Sequence, residues 1–546
     1  MIDTASAAPG DPASREQGAT AATSKGTGRI HWPPAIDVCL WLCVAFGILL
    51  RFIDLGHIPG INGDEAYLGT KVVMLLHGGE ISLKTGSQLW PDPISLLVSC
   101  ALHLGLGVSF FTLRLATVMT GLLTIALAYL MARHIWGSRI ATMTAALVAA
   151  LPTHIAYSRF FWEPSQSPLI CTAWLWAAFA RRPVLTGLMG ALAVLIHPTN
   201  IFLAPLVVLP YAEPILSWVR SRKLATGRSG ILTLLRHVAV MMAPILSVVA
   251  VLEFLYHGNS PAAGALDLVR ARLLDIHALG DFSRRYPGLL TGSTVYAYIV
   301  GNVGESVFSI HRWLYVLVFA APVLASALIL RQRLALLVGS LAVAILVFYL
   351  VAGPDALVPN KERYALRMTV PHCLVAVLAW HGISQRIGWP RLAKLAALAV
   401  SVALLGTFYV SYFVRLRTQN SVTENAFVTG PVEPKLRAFR EIISTRDSSR
   451  ATAIYAEDWW TYWAVKYLSL GYKPQFSVTI ANQKWDSRFP RDFEIPEHDR
   501  SRAQSFFLGY SNGDFVKRVE RERPDAIKHS FRGYGNGTAL DLFREP

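Results

Sequence analysis

Residues 36–53 read IDVCLWLCVAFGILLRFI, and residues 60–67 follow as GINGDEAY. The first stretch is long and apolar enough to cross a membrane as one helix. The second places two adjacent carboxylates, Asp64 and Glu65, close to that helix. Carboxylates near hydrocarbon are costly unless the protein uses them. This part of the chain therefore predicts a membrane helix followed by an acidic external loop.

The rest of the chain repeats the apolar character of its first helix. Of 546 residues, 53% are hydrophobic and only 16% are charged, whereas a soluble domain carries about 25% charged residues. The net charge of +16 comes from short basic runs between apolar blocks, which is typical of cytoplasmic loops. No groove-binding motif accompanies the charge, so nucleic-acid binding is disfavoured. The composition predicts an all-α polytopic membrane protein.

Eleven apolar segments are long enough, or nearly long enough, to span a bilayer. They are 36–53, 115–132, 140–157, 165–180, 184–197, 199–218, 237–256, 313–330, 334–352, 368–384 and 392–413. A further block, 94–109, is short and follows Pro91-Asp92-Pro93. The basic loops all fall on one side only if 94–109 does not cross, so we interpret it as a juxtamembrane or re-entrant helix.

This topology divides the chain into three parts. Residues 1–33 are rich in small and polar residues and predict a disordered cytoplasmic tail. Residues 34–413 form the membrane domain, and an odd number of spans places 414–546 on the outer side of the membrane. The last part is polar, with predicted strands at 451–455 and 476–480 and a helix at 459–470, which indicates a small soluble α/β domain.

Several charged residues fall at the outer ends of the predicted helices. They are Asp64, Glu65, Arg114, Arg159, Glu163, Arg363 and Arg367. Charged groups from separate helices at one membrane face can build a single polar cavity. Guanidinium groups bind phosphate in a bidentate manner, and a carboxylate can remove the proton of an attacking hydroxyl. The set therefore fits glycosyl transfer from a polyprenyl-phosphate sugar.

Each of these features has a plainer interpretation. The Asp64-Glu65 pair fits a solvated loop, the arginines fit interfacial residues that extend toward water, and Glu163 fits the start of a helix. The aromatic run 457–463 is either a sugar-stacking surface or a mixture of core and interface residues. A transporter or lipid flippase is the alternative function, although it predicts charges near span centres and an internal repeat.

Four stretches of the sequence resemble the membrane glycosyltransferases of the GT-C fold, in particular the protein-mannosyltransferase-like and ArnT-like group. They are Asp64-Glu65-Ala66-Tyr67, Arg114-Leu115 with Gly121 to Arg133, Leu151-Pro152 through Ser158-Arg159 to Ser165, and Glu362-Arg363-Tyr364-Ala365-Leu366. Their order and spacing cover roughly the first 390 residues. The resemblance implies a lipid-linked donor and juxtamembrane helices in the first external loop.

The resemblance also implies roles for individual residues. Asp64 corresponds to the catalytic carboxylate, and Arg363 is the best match for the basic residue that contacts the lipid phosphate. We further expect Glu65 to position acceptor or sugar, Arg159 or Arg367 to hold the phosphate together with Arg363, and Arg114, Glu163 and Tyr67 to contact the substrate. For the bacterial group that the chain resembles, the expected location is the inner membrane, with 414–546 in the periplasm. A monophosphate leaving group predicts neither metal nor cofactor.

Two departures from the ArnT-like pattern bear on the acceptor. Trp90-Pro91-Asp92-Pro93 stands where that group often has a Lys-Pro-Pro stretch, and Tyr67 stands where it often has an arginine. The acceptor, whether membrane lipid, glycan or protein, therefore stays open.

Overall fold

The computed structural model describes residues 35–78, 93–221, 224–255, 275–300, 312–329, 332–353, 357, 361–418, 432–472, 476–480, 503–532 and 540–546. The predicted tail at 1–33 lies outside the described residues. The helices are α1 Ala35–Phe52, α2 Gly63–Leu76, α3 Pro93–Leu106, α4 Phe110–Trp136, α5 Ser138–Ala150, α6 Pro152–Tyr157, α7 Ser167–Phe179, α8 Pro183–Ile196, α9 Ala204–Ser221, α10 Leu224–Leu255, α11 Ile276–Arg285, α12 Gly288–Thr291, α13 Ser293–Val295, α14 Ala321–Ile329, α15 Gln332–Ala352, α16 Thr369–Ile387, α17 Leu392–Phe408, α18 Arg415–Thr418, α19 Val432–Thr445, α20 Trp459–Ser469 and α21 Asp514–Glu522. Short 3₁₀ turns cover Glu163–Gln166, Pro198–Leu203 and Lys361–Met368, among others.

Five helical stretches in the described part of the chain are long and apolar enough to cross a membrane. They are Ala35–Phe52, Phe110–Trp136, Leu334–Ala352, Lys361–Ile387 and Leu392–Thr418. Helices also occupy the other predicted spans, but these are shorter or less apolar. The chain is thus a multi-pass helical membrane protein, and the count of eleven spans stays a prediction.

Helix α5 is the centre of the membrane bundle. Its residues from Ile140 to Ala150 are all buried, and it packs against α1, α4, α16 and α17. Alanines at five of these positions allow neighbouring backbones to approach closely. A Cβ on Gly47 of α1 would lie 2.5 Å from the Ala149 carbonyl oxygen, so α1 fits against α5 only with glycine at that position.

Ion pairs at both ends fix the direction of α1 within the bundle. Asp37, in its first turn, pairs with Lys394 at the start of α17 at 2.6 Å. Asp54, just past its last turn, pairs with Arg417 of α18 at 2.5 Å. Helix α1 therefore runs parallel to α17 and α18, as the first and last of an odd number of spans would in the predicted topology.

A five-stranded sheet forms the C-terminal part of the chain. Its strands are β1 Thr452–Ala456, β2 Phe476–Ile480, β3 Gln504–Tyr510, β4 Ile527–Phe531 and β5 Leu540–Arg544, in the order β2-β1-β3-β5-β4. The pairs of β1 with β2 and β3 are parallel, and those of β5 with β3 and β4 are antiparallel. The predicted strands at 451–455 and 476–480 and the helix at 459–470 are confirmed.

Helix α20 of the C-terminal part packs directly on α2. The Tyr467 hydroxyl donates to the Ser109 carbonyl at 2.8 Å and lies 2.7 Å from His103 Nε2 of α3. Its ring stacks on Phe110 at 5.6 Å. These contacts place α3 on the same side as the sheet, as the juxtamembrane interpretation of 94–109 requires.

Candidate active site

The acidic stretch becomes the first turn of α2. The Asn62 side chain accepts from the backbone N–H of Asp64 at 2.8 Å and so caps this helix. Carboxylates at the next two positions are favourable because the N-terminus of a helix carries partial positive charge. Adjacent residues of a helix point in different directions, and here Asp64 stays partly exposed while Glu65 is fully buried.

Glu65 and Arg114 form a buried bidentate ion pair. Arg114 Nε lies 2.8 Å from Glu65 Oε1, and Nη2 lies 2.9 Å from Oε2. The remaining Arg114 donors reach the carbonyls of Leu55, Pro59 and Gly60 at 2.9–3.0 Å. Both side chains are 0% exposed. The structure therefore places Glu65 and Arg114 in a clamp that holds the 55–60 loop against α2, one residue from Asp64.

Arg159 lies in a second buried clamp. It donates to the carbonyls of Leu50, Ile53 and Ile58 at 2.6–2.7 Å, and its guanidinium lies 4.9 Å from the centre of the Phe413 ring. Carbonyls at the end of a helix need such partners. In this position the guanidinium closes the end of α1.

The two late arginines, Arg363 and Arg367, sit in one 3₁₀ turn but in different environments. Arg363 stacks over the Trp162 ring at 4.4 Å and is partly exposed. Arg367 is 1% exposed, lies over Phe348 at 4.6 Å and donates to Thr199 Oγ1 at 2.9 Å. Of these two arginines, Arg363 is the one whose charge lowers the pKa of Asp64.

Four charged groups thus come together at the end of the bundle that contacts the C-terminal part. Asp64 and Glu163 both face Arg363, and Glu163 also faces Lys71 of α2. Burial raises the pKa of the Asp64 carboxyl above its ordinary value, while Arg363 and a hydrogen bond from Trp459 counteract the rise. Burial likewise raises the pKa of Glu163. A carboxylate made more basic by its surroundings suits proton removal.

Lys71 and Tyr67 extend this site along α2. Burial lowers the pKa of the Lys71 ammonium to about 8, against an opposing effect of Glu163. The Lys71 Nζ lies 4.6 Å from the centre of the Tyr67 ring, and burial raises the pKa of that phenol to about 12. The sequence analysis did not select Lys71, although its spacing of seven from Asp64 places both on one helix face.

A cavity opens beside Lys71 and Glu163. It is lined by Leu68, Lys71, Ser95, Leu96, Phe161, Trp162 and Glu163, and it is a small cleft whose enclosed part has room for little more than one water molecule. Its wall is mostly apolar, and its charges are one ammonium and one carboxylate. Such a lining suits a chain of hydrocarbon that carries an anionic head.

Trp459 is a second residue at the site whose role was not recognised from the sequence. It begins α20 and donates a side-chain hydrogen bond to Asp64. The centre of its ring lies 5.8 Å from the centre of the Tyr67 ring, and the Trp463 ring packs against the same tyrosine with its centre 4.6 Å away. Trp459 and Trp463 of the aromatic run 457–463 therefore cover the acidic turn.

Among the residues described, no three His, Cys, Asp or Glu side chains are grouped as a metal site would need. The absence of a catalytic metal stays a prediction.

The apolar helix bundle, its juxtamembrane helices and the C-terminal sheet together define a membrane protein of the GT-C fold. No family model and no curated protein matches the sequence.

Among solved structures, the chain is similar to ArnT from Cupriavidus metallidurans in the apo state, with 13% identity and a TM-score of 0.52 over 93% of this chain and 98% of that one. ArnT bound to undecaprenyl phosphate gives 16% identity and a TM-score of 0.53 over 92% and 97%. The match extends beyond the first 390 residues, so the C-terminal part also has a counterpart in ArnT, which the sequence did not show.

Proposed function

We propose that the protein is an inverting glycosyltransferase that moves a sugar from a polyprenyl-phosphate monosaccharide to a hydroxyl acceptor. The observation that carries this proposal is the meeting of Asp64, Arg363, Glu163 and Lys71 beside an apolar cavity. The fold it shares with ArnT supports the same reaction class, as does the undecaprenyl phosphate bound by that protein.

In this reaction Asp64 is the general base. It takes the proton of the acceptor hydroxyl while that oxygen attacks the anomeric carbon, and the bond from this carbon to the phosphate oxygen breaks. The electron pair leaves with the phosphate, whose growing negative charge Arg363 and Lys71 stabilise. The attack from the opposite side inverts the anomeric configuration.

The other predicted site residues take supporting roles in this proposal. Glu65, Arg114 and Arg159 hold the loop and helix ends that place Asp64, because Glu65 pairs with Arg114 and both arginines donate to backbone carbonyls. Arg367 supports the turn that carries Arg363 through its bonds to Thr199 and the Tyr364 carbonyl. Tyr67 remains protonated and can donate to the sugar or the phosphate.

We place the lipid end of the donor at the mouth of this cavity, which has to widen when isoprene units enter. Leu68, Leu96 and Phe161 supply an apolar wall, and Lys71 stands where the phosphate would follow. We place this site on the periplasmic face of a bacterial inner membrane, with eleven spans in 34–413, a cytoplasmic N-terminus and 414–546 outside. The clustering of the site and the sheet at one end of the bundle supports this topology.

The test is transfer by purified protein in lipid nanodiscs, supplied with a panel of labelled undecaprenyl-phosphate sugars and an extract of membrane lipids, glycans and proteins as acceptors. We expect one donor to be consumed and the product to have the inverted anomeric configuration by NMR. Asp64→Asn should lower the rate by about 10²–10⁴-fold. Asp281→Asn, at an exposed position on α11, is the matched control. Full activity of Asp64→Asn would exclude Asp64 as the base.

A further inference from the structure

The indole of Trp459 lies against the first turn of α2. A Cβ added to Gly63 would fall 2.7 Å from Trp459 Nε1 and would overlap its ring. The N–H edge of the indole is thus directed at the backbone that carries Asp64, and only glycine at position 63 permits this approach. The residue that makes this contact, Trp459, is the first residue of α20 and directly follows the N-cap Asp458.

The position of Trp459 is fixed from its own side as well. Asp458 caps α20 by accepting from the Thr461 backbone N–H at 2.8 Å, and the Thr461 side chain completes a capping box. One turn later Trp463 is 6% exposed and packs on Tyr67. Trp459 itself stays partly exposed, so it borders the site where Trp463 fills the interior.

We propose that Trp459 is a positioning residue that the C-terminal sheet domain supplies to the active site, where its indole N–H holds the Asp64 carboxylate in the orientation for proton removal. This inference rests on the proposed function and adds to it. The sheet domain becomes part of the catalytic unit, because the hydrogen bond to the base comes from α20.

The charged groups around Asp64 determine how its pKa would change when this hydrogen bond is lost. Arg363 faces it from the 3₁₀ turn at 361–368, Glu163 from the turn at 163–166, and Tyr67 from its own helix. Arg363 and the indole stabilise the ionised carboxylate, whereas Glu163 opposes it. Removing the N–H therefore raises the pKa of Asp64, and the acid limb of the rate profile moves to higher pH.

The experiment compares the pH dependence of kcat/KM for Trp459→Phe with that of the unmodified protein. A hydrogen bond to a charged group corresponds to about one pH unit or more, so we expect the acid limb to move up by about that amount and kcat to fall by roughly tenfold. Trp459→His, which keeps a ring N–H, should move the acid limb by a smaller amount than Trp459→Phe does. Trp463→Phe, which removes an indole from the same helix, should leave the acid limb in place.

A second variant separates hydrogen bonding from packing. Replacing Trp459 by 3-benzothienylalanine keeps the shape of the ring but has sulfur in place of the N–H, and it should move the acid limb as far as Trp459→Phe does. An unmoved limb in this isosteric variant would overturn the inference, provided that Asp64→Asn is inactive. Activity retained by Asp64→Asn would instead overturn the proposed function itself.

Discussion

Replacing Glu65 by glutamine separates the two adjacent carboxylates of the acidic turn. The side chain keeps its size but loses its charge, and its amide N–H₂ faces the guanidinium of Arg114, which has no acceptor to offer. Glu65 Oε1 also accepts from the Phe161 backbone N–H at 3.1 Å. The variant therefore leaves one arginine charge uncompensated in a place where both partners are fully buried.

The expected cost follows from that burial. Removing one partner of a buried ion pair destabilises a protein by about 3–5 kcal/mol, because the other charge remains without water or counter-charge. Three carbonyls still solvate Arg114, so the lower end of the range, about 3 kcal/mol, is expected. With roughly 2 °C per kcal/mol in a chain larger than a small domain, the midpoint of thermal unfolding should fall by about 5 °C or more.

The assay is thermal unfolding in detergent followed by intrinsic fluorescence, with transfer rates measured on the fraction that remains folded. Asp64→Asn is the matched comparison, since it makes the same chemical change one residue away. We expect Asp64→Asn to keep its unfolding midpoint and lose activity, and Glu65→Gln to lose stability. An unchanged midpoint in Glu65→Gln, together with activity as low as that of Asp64→Asn, would show that Glu65 acts in catalysis and would refute the clamp.

Three further predictions concern Lys71, Arg159 and Tyr467. The Lys71 ammonium is charged below its pKa of about 8, so undecaprenyl-phosphate binding should weaken as the pH rises through about 8. Lys71→Arg should move this loss of binding to higher pH, and binding by Lys71→Met should show no such pH dependence. Arg159→Met removes three hydrogen bonds to carbonyls and should lower the free energy of unfolding by on the order of 3 kcal/mol, while the KM for the donor stays the same in the folded protein. A raised KM at unchanged stability would show that Arg159 binds the phosphate instead. Tyr467→Phe should cost about 1–3 kcal/mol and speed hydrogen exchange in α3 and α20, and protection equal to that of the unmodified protein would contradict the docking described.

The membrane part of the fold was predictable because its physics is local. Long apolar runs must form helices in a bilayer, where backbone groups have no other partner, and charge asymmetry orients them. The interpretation of 94–109 as a juxtamembrane helix rested on counting crossings, and its contact with Tyr467 agrees with it. The small C-terminal sheet was equally visible, since two of its strands and one helix carried clear patterns.

The division of labour within the site could not be predicted. Asp64 and Glu65 are adjacent and chemically alike, and only the packing of Arg114 against one of them distinguishes their roles. Arginines at helix ends look the same in a sequence whether they bind phosphate, as we propose for Arg363, or close a helix end, as Arg159 does. Trp459 was hidden for a different reason, because its partner lies in another part of the chain and no local pattern records a long-range contact.

The contact between Gly63 and Trp459 also orders events during biosynthesis. Helix α2 leaves the ribosome early and α20 near the end of synthesis, so the two surfaces cannot meet until almost the whole chain has been made and its sheet has folded. A chain interrupted after the last membrane helix would contain the acidic turn, but its Asp64 would lack the hydrogen bond from Trp459. If Trp459 positions the base as we propose, full transfer activity is expected only after both the membrane and the soluble parts are in place, and a chain that lacks α20 should transfer sugar more slowly.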